Sequence, residues 1–298
     1  MSLVEEALKK RQAAAASAQR PGIGTPARQI EPLPAGYVRR TLGDPQKIRR
    51  LNLEALRSAG LLPPDSEVRQ IEHQFRTLKR PLVRRAFQEA PAVASLPRCI
   101  MVSSALPGDG KTFTSLNLAL SLAMERDCSV ILVDGDVAKP HTSRLFEAGS
   151  EPGLLDMLEN PALGIESVVL PTDVPGLSLV PVGRQSTQAT ELLASARMQA
   201  ILRELEALDP RTLVLVDSPP ILLTSEARVL APLFGQVVLV VRAAGTPQQA
   251  VLDAIKMLGE GAHVNLVLNQ ALHVGDGSYY GYGSRYGYGD SASEESRS

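Results

Sequence analysis

The chain has 298 residues, 44% of them apolar and 4% aromatic, with no tryptophan and a net charge of −1. That length holds one large α/β domain with appendages or two small domains, and the core has to be aliphatic. Cys99 and Cys128 have neither pairing nor metal-ligand spacing, which excludes a disulfide framework, and no apolar run approaches the roughly 18 to 20 residues of a membrane-spanning helix.

The charge is unevenly spread. Residues 1–90 carry 17 Lys and Arg against 9 Asp and Glu, leaving 14 against 23 for the rest. A basic leading segment on an acidic body can face anionic lipid, nucleic acid or an acidic partner, or can simply be solvated helix faces. The cysteines read as small buried residues of a reduced compartment. With no signal-peptide hydrophobic region at the start, the expected location is the cytoplasm.

Ser2-Leu3-Val4-Glu5 forms a capping box and opens an amphipathic helix over residues 1–20, with Leu3, Val4 and Leu8 as its apolar stripe. Pro21, Pro26, Pro32 and Pro34, mixed with Gly22, Gly24 and Gly36, mark a linker over 21–44. A helical lead-in is expected over 45–90, as a hairpin of helices at about 45–59 and 66–80; the second carries Ile71, Phe75, Leu78 and Leu82 at helical spacing.

From residue 98 to about 270, short β-branched runs alternate with helix-length segments. The expected strands are Ile100 to Ser104, Val130 to Asp134, Leu177 to Val182, Leu213 to Asp217, Val237 to Arg242 and Val264 to Asn269. Most are apolar throughout, as strands covered on both faces must be. The fold expected is therefore α/β: a mainly parallel sheet flanked by helices, with a helical segment before it.

Three strand ends carry chemistry. The first runs into Ala105-Leu106-Pro107-Gly108-Asp109-Gly110-Lys111-Thr112 and then, from Phe113, a helical pattern. This is a phosphate-binding loop: Gly108 and Gly110 let successive amides point at phosphate oxygens, Lys111 reaches the β- and γ-phosphates, and Thr112 ligates Mg²⁺. Ala105 replaces the usual first glycine and is small enough for the loop. The second strand ends in Asp134-Gly135-Asp136, where a carboxylate can hold a magnesium-bound water or accept a proton from an attacking hydroxyl. The third ends in Asp217-Ser218-Pro219-Pro220, four apolar residues before an aspartate being the second magnesium-side motif of P-loop proteins. Together they point to binding of ATP with Mg²⁺: Pro107 to Phe113 around the phosphates, Thr112, Asp134 and Asp217 at the metal, and Lys111, Asp134, Asp136 and Asp217 as the catalytic set.

Five of the six tyrosines, Tyr279, Tyr280, Tyr282, Tyr286 and Tyr288, fall in a glycine-rich tail over 275–298. Rings so spaced cannot pack into a core, and their hydroxyls are free to be modified, to stack on bases or to drive self-association. Arg285 alone is little charge for holding a nucleic-acid backbone, so no nucleic-acid partner is expected.

With these motifs in this order, the chain resembles the bacterial tyrosine kinases of capsule and exopolysaccharide export. The pattern is a Pro-Gly-acidic-Gly-Lys loop, an Asp-x-Asp motif leading to a basic residue and proline (here Lys139 and Pro140), an Asp-x-Pro-Pro motif and a terminal tyrosine cluster. Leu192 to Ser195 and Val241 to Thr246 also look like family positions, and the start of the chain with Phe75 to Leu82 looks most like the free-standing kinases of exosortase-linked polysaccharide loci. The resemblance covers about residues 45–298, with the kinase domain at 45–274. It implies an ATP-dependent autokinase that phosphorylates its own tyrosine cluster in trans. It also implies homo-oligomerisation, a transmembrane chain-length co-polymerase that recruits it to the inner face of the plasma membrane, and a tyrosine phosphatase that reverses the reaction.

The chain departs from the family in two places. Ala138 stands where the family has arginine, and the family's self-association pattern Glu-x-x-Arg-x-x-Arg is matched by His73, Arg76 and Lys79. Partitioning ATPases of the same P-loop branch carry a further lysine at the position of Leu106, and its absence argues against their mechanism. A tail of about 18 residues beyond the last strand has an r.m.s. span of roughly 24 Å if flexible, enough to reach a neighbour's site.

Overall fold

The computed structural model describes residues 41–88, 96–259 and 261–271. The expected first helix, most of the linker and the tyrosine tail lie outside the described residues.

Each central strand splits its aliphatic side chains between two cores, because successive residues of a strand point to opposite faces. In β1 (Leu96–Ser104), Ile100 and Val102 face one core while Cys99 and Met101 face the other. β2 (Ser129–Asp134), β5 (Thr212–Asp217) and β6 (Phe234–Arg242) repeat the division, with every residue of β2 and β5 buried. β3 (Leu170–Pro171), β4 (Leu177–Val180) and β7 (Val264–Asn269) complete a seven-stranded sheet in the order β3-β4-β2-β5-β1-β6-β7. All neighbours are parallel except β3 and β4, which pair antiparallel at one edge.

Helices cover both faces. On one lie α1 (Leu53–Ser58), α2 (Val68–Gln88) and α3 (Lys111–Ala123); α4 (His141–Leu145) follows β2. On the other lie α5 (Leu154–Glu159), α6 (Ala189–Leu193), α7 (Ala196–Ala207), α8 (Ser225–Leu230) and α9 (Gln248–Met257). Both cysteines are buried and unpaired, as expected. Burial holds the Cys99 thiol well above its ordinary value and lifts Cys128 to about 11, which disfavours the thiolate at both.

Three expectations need correction. The helix over 45–59 is instead a 3₁₀ turn at Pro45–Lys47 and the short α1, because Arg49 between them pairs as backbone with the sheet edge. Its N–H donates to Pro171 O at 2.8 Å and its carbonyl accepts from Asp173 N at 3.0 Å, so strand-like bonding wins over helix. The next helix does not stop at residue 80. It runs through Pro81 to Gln88, since the extra turns bury Leu82 and Ala86, and a buried leucine at roughly 1.5–3 kcal/mol offsets much of the proline penalty. The strand expected to reach Val182 ends at Val180, before Pro181, which has no N–H to donate.

A buried polar pin holds α2 down. Lys79 Nζ donates to Ser121 O at 2.6 Å and pairs with Glu125 at 2.7 Å, both reached from α2 towards α3. Gln236 Nε2 in β6 donates to Leu82 O at 3.0 Å. Lys79, matched by sequence to a self-association position, is therefore turned into its own subunit.

Candidate active site

The carboxyl ends of β1, β2 and β5 lie side by side, so the three motifs meet at one edge of the sheet. After Ser104 the chain turns through buried Ala105 and half-buried Leu106, which packs on the core where a partitioning ATPase would place a lysine. Gly108 and Gly110 have φ of 82° and 95°, the left-handed region that glycine adopts at no steric cost. At Gly110 space is closed as well, since a Cβ there would lie 2.0 Å from Asn269 Nδ2.

The loop is braced from three directions. The buried Asp109 carboxylate accepts from Leu106 N at 3.1 Å and from Thr246 Oγ1 at 2.6 Å. Asn269 Nδ2, at the end of β7, donates to Asp109 O at 2.9 Å. Ile221 N, beyond the Asp217 motif, donates to Ser104 O at 2.8 Å. Pro107 and Gly108 are exposed, Thr112 is buried at the start of α3, and Phe113 leans on Phe75 of α2 with ring centroids 6.3 Å apart.

Beside the loop, Asp134 and Asp217 are register partners across β2 and β5, both fully buried. Lys111 Nζ sits 2.6 Å from Asp136 Oδ2 and 4.0 Å from Asp217 Oδ1. Burial draws the Lys111 ammonium down, but Asp217 and Asp136 outweigh it and its pKa is raised. Asp217 is raised chiefly by burial, against Lys111 and Thr112; Ser115 Oγ and Thr142 Oγ1 lie 3.1 and 3.2 Å from its oxygens.

Asp134 is held differently. Burial and then the neighbouring Asp217 push its carboxyl up to about 7, although Ser143 N and Ser143 Oγ both donate to Oδ2 at 2.7 Å. Ser143 Oγ accepts in turn from Val182 N at 2.8 Å, which fixes the hydroxyl's direction. Oδ1 is buried without any partner.

Thus three carboxylates share one ammonium in a buried space, and one oxygen is orphaned. A hard divalent cation fits both conditions. Asp134, Asp217 and the Thr112 hydroxyl are an oxygen-only donor set suited to Mg²⁺. No cluster of three or more His, Cys, Asp or Glu ligands occurs among the described residues.

The residues expected at the site are brought together, apart from the tail tyrosines, which lie outside the described residues. Sequence reasoning missed Thr142, Ser143 and Asn269. The signal for the first two was a pair of consecutive hydroxyls two residues beyond Pro140; an asparagine closing a strand, as Asn269 does, is too common to stand out. A separate surface hollow of about 480 Å³, lined by Ser150, Asp156, Glu159 and Arg184 among others, lies away from this chemistry. Its Asp156 is satisfied by Gly153 N, Arg184 N and Arg184 Nε.

No protein-family model matches the chain. It is 34% identical over 159 residues to a putative tyrosine-protein kinase, EpsB, of Ralstonia nicotianae, covering 53% of this chain and 21% of that protein. It is 27% identical to the putative tyrosine-protein kinase CapB of Staphylococcus aureus, covering 61% of this chain and 79% of that one. The chain spans only 20% to 24% of the length of the longer curated relatives such as EpsB. In solved structures, the kinase domain of the Escherichia coli tyrosine kinase ETK superposes with a TM-score of 0.60 and 28% identity, over 71% of this chain and 80% of that domain. With about three residues in ten and most of its fold in common with them, the chain is similar to the kinase domains of bacterial tyrosine-protein kinases.

Proposed function

We propose that the chain is an ATP-dependent protein-tyrosine autokinase that phosphorylates its own C-terminal cluster, Tyr279, Tyr280, Tyr282, Tyr286 and Tyr288, in trans. The observation that carries the reading is the orphaned Oδ1 of buried Asp134, beside Asp217 and within the same site as Lys111. A carboxylate with one oxygen anchored by Ser143 and a pKa near neutrality is suited to take a phenol proton at physiological pH.

In this mechanism the backbone N–H groups of Gly108, Asp109 and Gly110 and the N-terminus of α3 hold the triphosphate. Lys111 leaves Asp136 for the γ-phosphoryl oxygens, where its charge offsets the charge that develops in transfer. Mg²⁺ would offset negative charge on the phosphate oxygens; Thr112 and Asp217 would hold it directly and Asp134 only through a bound water, which leaves its Oδ1 able to take a proton, while Asp136, freed of Lys111, would order the remaining waters. Asp134 accepts the tyrosine proton as the phenolic oxygen bonds to the γ-phosphorus and the bond to the β-bridging oxygen breaks, leaving ADP.

We further propose that the kinase regulates exopolysaccharide polymerisation or export, works as a homo-oligomer and is reversed by a tyrosine phosphatase. Among the described residues no helix is long and apolar enough to cross a membrane. A transmembrane co-polymerase would therefore hold the kinase at the inner face of the membrane. Lys111→Met tests the chemistry: incorporation from γ-labelled ATP into the tail should fall to background, and incorporation equal to the parent's would overturn the assignment.

A further inference from the structure

The outward face of α2 carries a ridge of arginines. Arg69, Arg76, Arg80 and Arg84 are exposed, with exposed His73 among them. At 100° per residue these five positions fall within an arc of about 80° and extend for about 22 Å along the helix. Among the described residues the only acidic partner on the ridge is Glu72, 3.7 Å from Arg76, and both side chains are about half exposed. Such a pair contributes little and yields readily to a stronger anion. The opposite face is fixed by Phe75, Leu82, Ala86 and the Lys79 pin, so the guanidinium groups stand on a rigid base.

The ridge is built of arginine, with the helix's one lysine turned inward. Guanidinium forks match phosphate oxygens in pairs, and arginine clusters are a recurrent means of recognising phosphorylated segments. No large apolar side chain on α2 is exposed, so the ridge has nothing to insert among lipid chains. The chain carries a complementary anion of its own. Residues 275–298 hold Asp276, Asp290, Glu294 and Glu295 against Arg285 and Arg297, a charge of −2 before modification. Each phosphotyrosine adds about −1.5 to −2.

The tail is also within reach. It follows β7, two strands from β1 in the order β1-β6-β7, while α2 packs on β1 and receives Gln236 of β6. From Ala271 to Tyr288 an extended chain spans at most about 60 Å. We propose that the arginine ridge of α2 is the docking surface for the tyrosine-phosphorylated C-terminal segment of this chain. The proposal rests on the autokinase reading for the source of the phosphates. The dock withdraws the product from the nucleotide site and shields it from phosphatase.

The test uses the full chain with all five tail tyrosines replaced by phenylalanine, titrated with a synthetic peptide of residues 275–298 phosphorylated at Tyr282, Tyr286 and Tyr288. Fluorescence anisotropy should show binding at least tenfold tighter than for the unmodified peptide. The double variant Arg80→Gln/Arg84→Gln, and separately Arg69→Gln/Arg76→Gln, should weaken phosphopeptide binding at least tenfold with unfolding transitions unchanged. Equal affinity for the two peptides overturns the proposal, as does phosphopeptide affinity unmoved by either double variant. It is equally overturned if the variants lose only binding to phosphatidylglycerol vesicles, or only self-association. Because the peptide is phosphorylated by synthesis, the kinase reading is judged apart: absent incorporation from labelled ATP in the parent chain would sink that reading and leave the dock standing.

Discussion

Asp134→Asn should make the nucleotide-free protein more stable while destroying its activity. In the unfolded chain this carboxyl ionises at its ordinary 3.8, whereas in the folded site burial and Asp217 raise it to about 7. A raised acid favours folding fully only below its unfolded pKa. As pH rises from about 4 to 7 the unfolded state sheds the proton first, and the folded state loses roughly 1.36 kcal/mol of stability per pH unit. The loss levels off above 7 at on the order of 4 kcal/mol, and at pH 5 it is about 1.5–2 kcal/mol. The substituted amide avoids this loss but leaves an unpaired N–H group where Oδ1 lacked a partner, at about 1–2 kcal/mol independent of pH. Urea unfolding of parent and variant without nucleotide is the assay. The stability difference, variant minus parent, should be about 2–3 kcal/mol larger at pH 8 than at pH 5. A difference that does not change with pH would refute the claim that Asp134 is held near neutrality by its neighbours. Tail phosphorylation by the variant should be lost at every pH.

Asn269→Ala removes the donor to Asp109 O and should weaken ATP binding about fivefold, from a net hydrogen bond of about 1 kcal/mol. Calorimetric titration with ATP and Mg²⁺ measures it, and an unchanged affinity would mean that β7 does not brace the loop. Lys79→Met should destabilise the fold by about 1.5–3 kcal/mol, because the Ser121 carbonyl loses its charged donor. If Lys79 instead served self-association, sedimentation would change and the unfolding midpoint would not.

The parts of this site that were legible in the sequence are those whose geometry is local. Gly108, Gly110, Lys111 and Thr112 are consecutive or nearly so, and a buried strand followed by a glycine turn and a helix leaves few other structures. Asp134 and Asp217 were legible because each ends an unbroken apolar run, and a parallel sheet places such ends together. What stayed hidden depends on partners brought in from afar. Thr142 meets Asp217 and Asn269 meets Asp109 only after the sheet has assembled, and neither residue names its partner in the sequence. The expected end at about residue 80 misses the last turns because the burial of Leu82 and Ala86, which carries the helix on through Pro81, is tertiary. The two-residue β3 offered no period to detect at all.

The central place of β5 has a consequence for how the site comes into being. β1, with its phosphate loop, and β2, with Asp134, do not touch as strands; β5 is inserted between them and pairs with both. A chain emerging from the ribosome completes the phosphate loop early, yet β1 and β2 can take their final spacing only once Thr212–Asp217 has been made and threaded between them. Such long-range parallel pairing forms late. The nascent chain is thereby kept from assembling its candidate site until most of the domain is built.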